Sequence, residues 1–141
     1  MKNINSRGTL DLDFGTDIDL SPDGKKVFIA DTQEIFEANV EDLVRILGGF
    51  NVDRGTHEIE VGPCSDIFVS YERSLSTSGQ GAVIRRFDVD GATLGTAFSQ
   101  ESPIFQDTLV VSGDGSRIAV TTFDSDSNDE NFCSLELITV P

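Results

Sequence analysis

Tryptophan is absent, and Tyr71 is the lone tyrosine. Sugar sites lean on such rings, which stack an apolar face while the edge hydrogen-bonds, so their scarcity weighs against a lectin. Histidine is nearly absent too, with His57 alone. A Ser-His-Asp triad could only form around it, and a histidine-rich metal centre lacks ligands. Lysine is confined to Lys2, Lys25 and Lys26. Ten Lys plus Arg face 25 Asp plus Glu, for a net charge of −15. Such a surface repels phosphate and argues against nucleic acid and anionic membranes as partners. Solubility is one reading of the acidity. Adaptation to a salty habitat is the other, because salt screens self-repulsion. No apolar run approaches the roughly 18 residues of a membrane span. Met1 to Arg7 are polar with no apolar core, so the expectation is a cytoplasmic protein. Cys64 and Cys133 match no metal spacing and are too few for a disulfide framework. They are expected as free, buried thiols. No Gly-x-Ser-x-Gly elbow, phosphate loop or Cys-x-x-Cys occurs.

What is present is punctuated alternation. The 141 residues, 38% hydrophobic and 25% charged, make one globular domain that can bury about 68% of its unfolded surface. Thirteen glycines divide it into short segments, as in an all-β protein. Thr9 to Phe14 alternates, and so does Asp17-Ile18-Asp19-Leu20, with apolar residues on one side and carboxylates on the other. Ser21-Pro22-Asp23-Gly24 is a tight turn, and Val27-Phe28-Ile29-Ala30 is a second strand.

This unit returns. Thr108 to Val111, Ser112-Gly113-Asp114-Gly115 and Arg117 to Val120 repeat it at one offset of 91 positions, with Phe14 on Phe105 and Ser21 on Ser112. A weaker middle copy runs Ile59 to Val61, Gly62 to Ser65, then Ile67 to Ser70. Three copies give a period of about 47, the mark of a repeat architecture. Third strands follow at Ala82 to Val89 and Cys133 to Val140. A fourth, Thr93 to Phe98, follows the hairpin signal Asp90-Gly91. The two cysteines thus fall in a turn and in an outer strand of different copies, which places them out of disulfide reach.

Four short antiparallel strands per copy is the plan of a propeller blade. Leu20-Ser21-Pro22-Asp23-Gly24-Lys25-Lys26-Val27-Phe28-Ile29-Ala30-Asp31 resembles the strand-turn-strand signature of bacterial β-propellers of the TolB and YVTN type. Ser112 to Val120 is a variant with Gly113 in place of proline. The resemblance implies fold and says little of function, since such propellers include binding scaffolds, lectins, hydrolases and lyases. Residues 32–47 admit two readings. Phe36, Val40, Leu43, Val44 and Leu47 sit at helical spacing before Gly48-Gly49. By analogy with Ala82 to Phe98 they are read as a third strand, a turn at Glu41-Asp42 and a fourth strand.

Three blades cannot close a ring, and raw sheet edges invite pairing. Thr9 to Phe14 is surplus at the front, and the last copy lacks a fourth strand. The expected fold is therefore an all-β β-propeller of three four-stranded blades per chain, completed to six by a homodimer. Its single domain spans residues 1–141.

His57 is placed in the loop from Gly49 that enters the inner strand of the middle copy, beside Asp53 and Arg54. In propellers that position faces the ligand-binding end of the channel. Asp53, Arg54 and His57 are the candidate ligand-binding residues, with an ordinary loop histidine as the other reading. Ser74 to Gly81 reads as a flexible loop on the same side. Asp124, Asp126 and Asn128 alternate oxygen ligands as calcium loops do, but Asp129 replaces the loop's glycine and Leu135 its closing glutamate. No cofactor is expected beyond weak calcium there, and a solvated acidic hairpin loop is the leading reading. The expected function is a binding or scaffold module for a small molecule or protein. A hydrolase or lyase with its site on the axis near His57 is the alternative, or a piece of a larger propeller.

Overall fold

The repeated strand-turn-strand unit sets the architecture. The computed structural model describes residues 15–31, 33–46, 49–52, 56–71, 82–100, 104, 107–123 and 133–141, and these contain no helix. The first sheet runs β1 (Gly15–Leu20), β2 (Lys26–Asp31), β3 (Glu34–Asn39) and β4 (Phe50–Asn51) in sequence order. The second runs β5 (Thr56–Val61), β6 (Ile67–Tyr71), β7 (Ala82–Phe87) and β8 (Thr93–Gln100) in the same way. The third holds β9 (Val110–Val111), β10 (Arg117–Phe123) and β11 (Cys133–Thr139). All pairing is antiparallel. The third sheet has three strands among the described residues, in keeping with a last copy that lacks a fourth of its own. The strand expected at Thr9 to Phe14 lies outside them.

The turns explain why the unit repeats. The Gly24 amide donates to Ser21 O at 2.8 Å, and the Gly115 amide to Ser112 O at 2.8 Å. Ser21 Oγ donates to Asp23 Oδ1 at 2.7 Å, and Ser112 Oγ to Asp114 Oδ1 at 2.6 Å. Each serine hydroxyl also accepts from the first amide of the returning strand, Lys26 or Arg117, at 3.0 Å. Gly24 at φ 67 and Gly115 at φ 71 supply the left-handed residue that closes each turn. In the second sheet Ser65 fills that place at φ 64, where a side chain is strained.

Residues 32–47 form no helix among those described. β3 takes Glu34–Asn39, residues 40–42 turn, and Arg45 bridges back to Ala38. Ile35 and Phe36 point to opposite faces of β3, yet both are buried. A strand covered on both sides loses its period of two, which is why helical spacing competed. The fourth strand comes later than expected, at β4.

Packing is sheet against sheet. Directly paired residues share a face, so Phe28, Ala30 and Ile35 all turn toward the second sheet. They meet Ile59, Ile67, Val69 and Phe87 in the first interface. The hairpin at Gly91, φ 85, lies so close to Phe50 that a Cβ there would overlap the ring. The opposite face of the second sheet packs Phe68 and Ile84 against Leu109, Ile118 and Val120. Phe68, Ile84, Ile118 and Val120 are fully buried, each contributing roughly 1.5–3 kcal/mol. Cys64 and Cys133 are free, as expected, but both are exposed. Cys64 rides a turn and Cys133 a strand edge, so neither reaches an interface.

Ser65→Gly should release the strain at φ 64 and raise stability by about 0.5–1 kcal/mol, measured by urea unfolding. An unchanged or lower midpoint contradicts the equivalence of the three turns.

Candidate functional site

β1, β5 and β9 are the first strands of their sheets and lie side by side. Among the described residues each leaves one backbone edge without a strand partner, and buried amides need acceptors. Carboxylates from the preceding strand supply them. Asp17 Oδ2 accepts from the Ile59 amide at 2.9 Å, and Asp19 Oδ2 from the Val61 amide at 2.7 Å. Glu58 repeats the device one sheet on. Its Oε1 accepts from the Leu109 amide at 2.9 Å and its Oε2 from the Thr108 amide at 3.3 Å. Asp17 and Glu58 occupy equivalent repeat positions, as do Asp19 and Glu60. The alternation at Asp17 and Asp19 held this signal, but period two alone reads such acids as the solvent side.

The cluster is electrostatically loaded. Burial lifts the Glu58 carboxyl to about 7, against the Leu109 and Thr108 amides that pull it down, and Asp17 and Asp107 add to the rise. Burial also lifts Glu60 to about 7, reinforced by Asp19, Glu58 and Asp17. Two carboxyls that hold a proton near neutrality can exchange one with a bound molecule. Among the described residues no set of three His, Cys, Asp or Glu is arranged to hold a metal ion. The turns behave oppositely. The Ser21 hydroxyl and Lys25 amide hold Asp23 below its usual range, and the Ser112 hydroxyl with Ser116 draws Asp114 down to about 2.

Of the expected site residues, His57 belongs to β5 and not to the loop before it. It falls where the pairing with β6 is irregular, between Thr56 and Glu58. Its side chain lies outside the described residues, as do Asp53, Arg54, Asp124, Asp126 and Asn128. Thr56 at the start of β5 pairs with Tyr71 at the end of β6. A cavity of about 500 Å³ lies elsewhere, lined by Gly24, Lys25, Asn39, Val40, Glu41 and Asp42.

No family model matches the chain, and no curated protein matches it. Among solved structures it is similar to the tricorn protease, with TM-score 0.57 and 14% identity over 86% of this chain and 12% of that one. It is also similar to a functionally unknown protein from Desulfotomaculum acetoxidans DSM 771, with TM-score 0.52 and 16% identity over 90% of this chain and 43% of that one. The chain therefore spans less than half the length of either. The tricorn protease has β-propeller domains. The likeness is one of fold, and it makes this chain a propeller-like all-β protein.

Glu58 and Glu60 bind protons more tightly folded than unfolded. The stability they add is complete below their unfolded value of 4.5 and is lost as pH rises through about 7. Asp23 and Asp114 act in the other direction: their stabilisation is present above 3.8 and lost as pH falls below it, for Asp114 toward about 2. Thermal stability should therefore peak near pH 4–5 and decline to pH 7.5 as the two glutamates ionise, by less than about 1.4 kcal/mol per pH unit for each glutamate because solvent screens them in part. Glu58→Gln, which keeps an acceptor for the Leu109 amide, should flatten part of that decline. Equal melting temperatures at pH 5 and pH 7.5 contradict it.

Proposed function

We propose that the chain is a binding or scaffold module built on half of a β-propeller, with two copies completing a ring of six blades. The carrying observation is the pair of exposed apolar rows at the two ends of the three stacked sheets, one along β1 and one along β9 and β11. The first sheet presents Ile18 and Leu20 to solvent, and the third presents Val110, Leu135 and Leu137. Large apolar side chains gathered on sheet faces mark a surface that associates. The edge of β11 also takes no fourth strand from the described residues, whereas the first two sheets have one there. Thr9 to Phe14 of the partner copy is the strand proposed for that edge.

The ligand is a small molecule or protein held at the end of the ring where β5 begins. Asp53, Arg54 and His57 from each copy would converge there, given twice by the two-fold symmetry. The strong acidity supports a partner other than nucleic acid or an anionic membrane.

Light scattering should give a mass near twice 15.3 kDa. Removal of residues 1–14 should abolish that species while circular dichroism still reports strand. A stable monomer of the full chain, or a dimer that survives the truncation, overturns the reading.

A further inference from the structure

Within the chain, sheets stack in one direction. The face carrying Asp17, Phe28 and Ala30 packs on the Ile59 face of the next sheet, and the face carrying Glu58 and Phe68 packs on the Ile118 face of the one after. The same face of the third sheet meets nothing among the described residues. Val110 pairs with Ala119 and Ala119 with Leu137, in one row across three strands, with Leu135 two residues along. Val110 is 57% exposed, Leu135 76% and Leu137 65%. At the other end, the leading face of the first sheet carries Ile18 beside Ile29 and Leu20 beside Val27. Ile18 is 62% exposed and Leu20 52%.

These two faces are the unmatched halves of the one interface the chain uses twice. On the reading that two copies form the ring, we infer that each closing seam joins the Val110–Leu137 face of one copy to the Ile18–Leu20 face of the other. The pairing is head to tail, and it differs from the internal seams in chemistry. Thr108 and Val110 stand at the repeat positions of Asp17 and Asp19, so the third sheet has no carboxylate to offer. The first sheet has no amide waiting for one. Ile18 and Leu20 match the clasped Ile59 and Val61, but their amides donate to Asp17 Oδ1 at 2.8 Å and to Asp19 Oδ1 at 2.7 Å in their own strand. Acceptor and donor are missing together, on opposite ends of the molecule. The closing seam thus lacks the carboxylate–amide clasps of the internal seams and joins apolar rows, suited to a second copy of this chain. Opening it breaks no carboxylate–amide clasp, and what holds it is apolar contact together with the strand proposed for the β11 edge.

The test uses full-length variants and sedimentation. Ile18→Asp and Leu137→Asp each place a charge on one face, at positions exposed in the single chain, so each should remain folded by circular dichroism. Leu20→Asp and Leu135→Asp serve in their place if either does not. Each variant alone has both seams spoiled and should be monomeric at concentrations where the unaltered chain is dimeric. An equimolar mixture should regain a species of twice the chain mass, because one seam then joins two unaltered faces. Its dissociation constant should be at least tenfold weaker than that of the unaltered dimer. A dimeric unaltered chain with either variant still dimeric, or with a mixture that stays monomeric, overturns the face pairing and leaves the two-copy reading standing. A monomeric unaltered chain overturns both.

Discussion

An inner strand in a stack of sheets has one edge that no neighbouring strand can reach. Its amides must find acceptors in a place water enters poorly, and an unmet buried donor costs about 1–3 kcal/mol. Here the answer is a carboxylate from the sheet before. Asp17, Asp19 and Glu58 each reach the backbone of the next inner strand. Because the acceptor comes from the neighbouring sheet, the same bond that satisfies an edge also sets how far and at what height the sheets sit. The apolar interfaces then fill the space so defined. Charge-assisted bonds to backbone amides are directional, whereas Phe28 or Phe68 against aliphatic neighbours would tolerate sliding.

That arrangement has an electrostatic cost, and it falls on the glutamates. Asp17 and Asp19 each bridge two amides. Glu60, the counterpart of Asp19 one sheet on, accepts from none of the described amides, and it sits beside Asp19, Glu58 and Asp17. Four carboxyl groups in one region cannot all carry charge cheaply in a chain already at −15, so proton uptake relieves the crowd.

The strands around Ser21 and Ser112 were legible because the turn chemistry is local: a serine, an aspartate and a glycine suffice to close it. The 32–47 segment was half legible. Ile35 and Phe36 bury opposite sides of one strand, and no periodicity reports that. The clasps were invisible for a different reason. Asp17 is bonded to the backbone of Ile59, and a main-chain amide has no residue type to match. Only the recurrence of acids at equivalent positions pointed there. His57 missed its element because β5 opens with a pairing irregularity at Thr56, which alternation cannot foresee. The cysteines were misplaced by a general rule, that thiols bury well, applied to a turn and an edge strand.

The proposed pairing of tail on head would leave the molecule more than one way to satisfy itself. If the rotation between successive sheets divides the circle, two copies meet and the chain of contacts ends. If the rotation falls short, or each turn also climbs, the same faces add copy after copy into an open helical filament. Nothing in the faces themselves chooses between these outcomes. The choice lies in the internal seams, where the clasps fix the angle that every later copy inherits. Carboxylates buried in the middle of the chain would therefore act as the angular ruler for the proposed assembly, which they never touch.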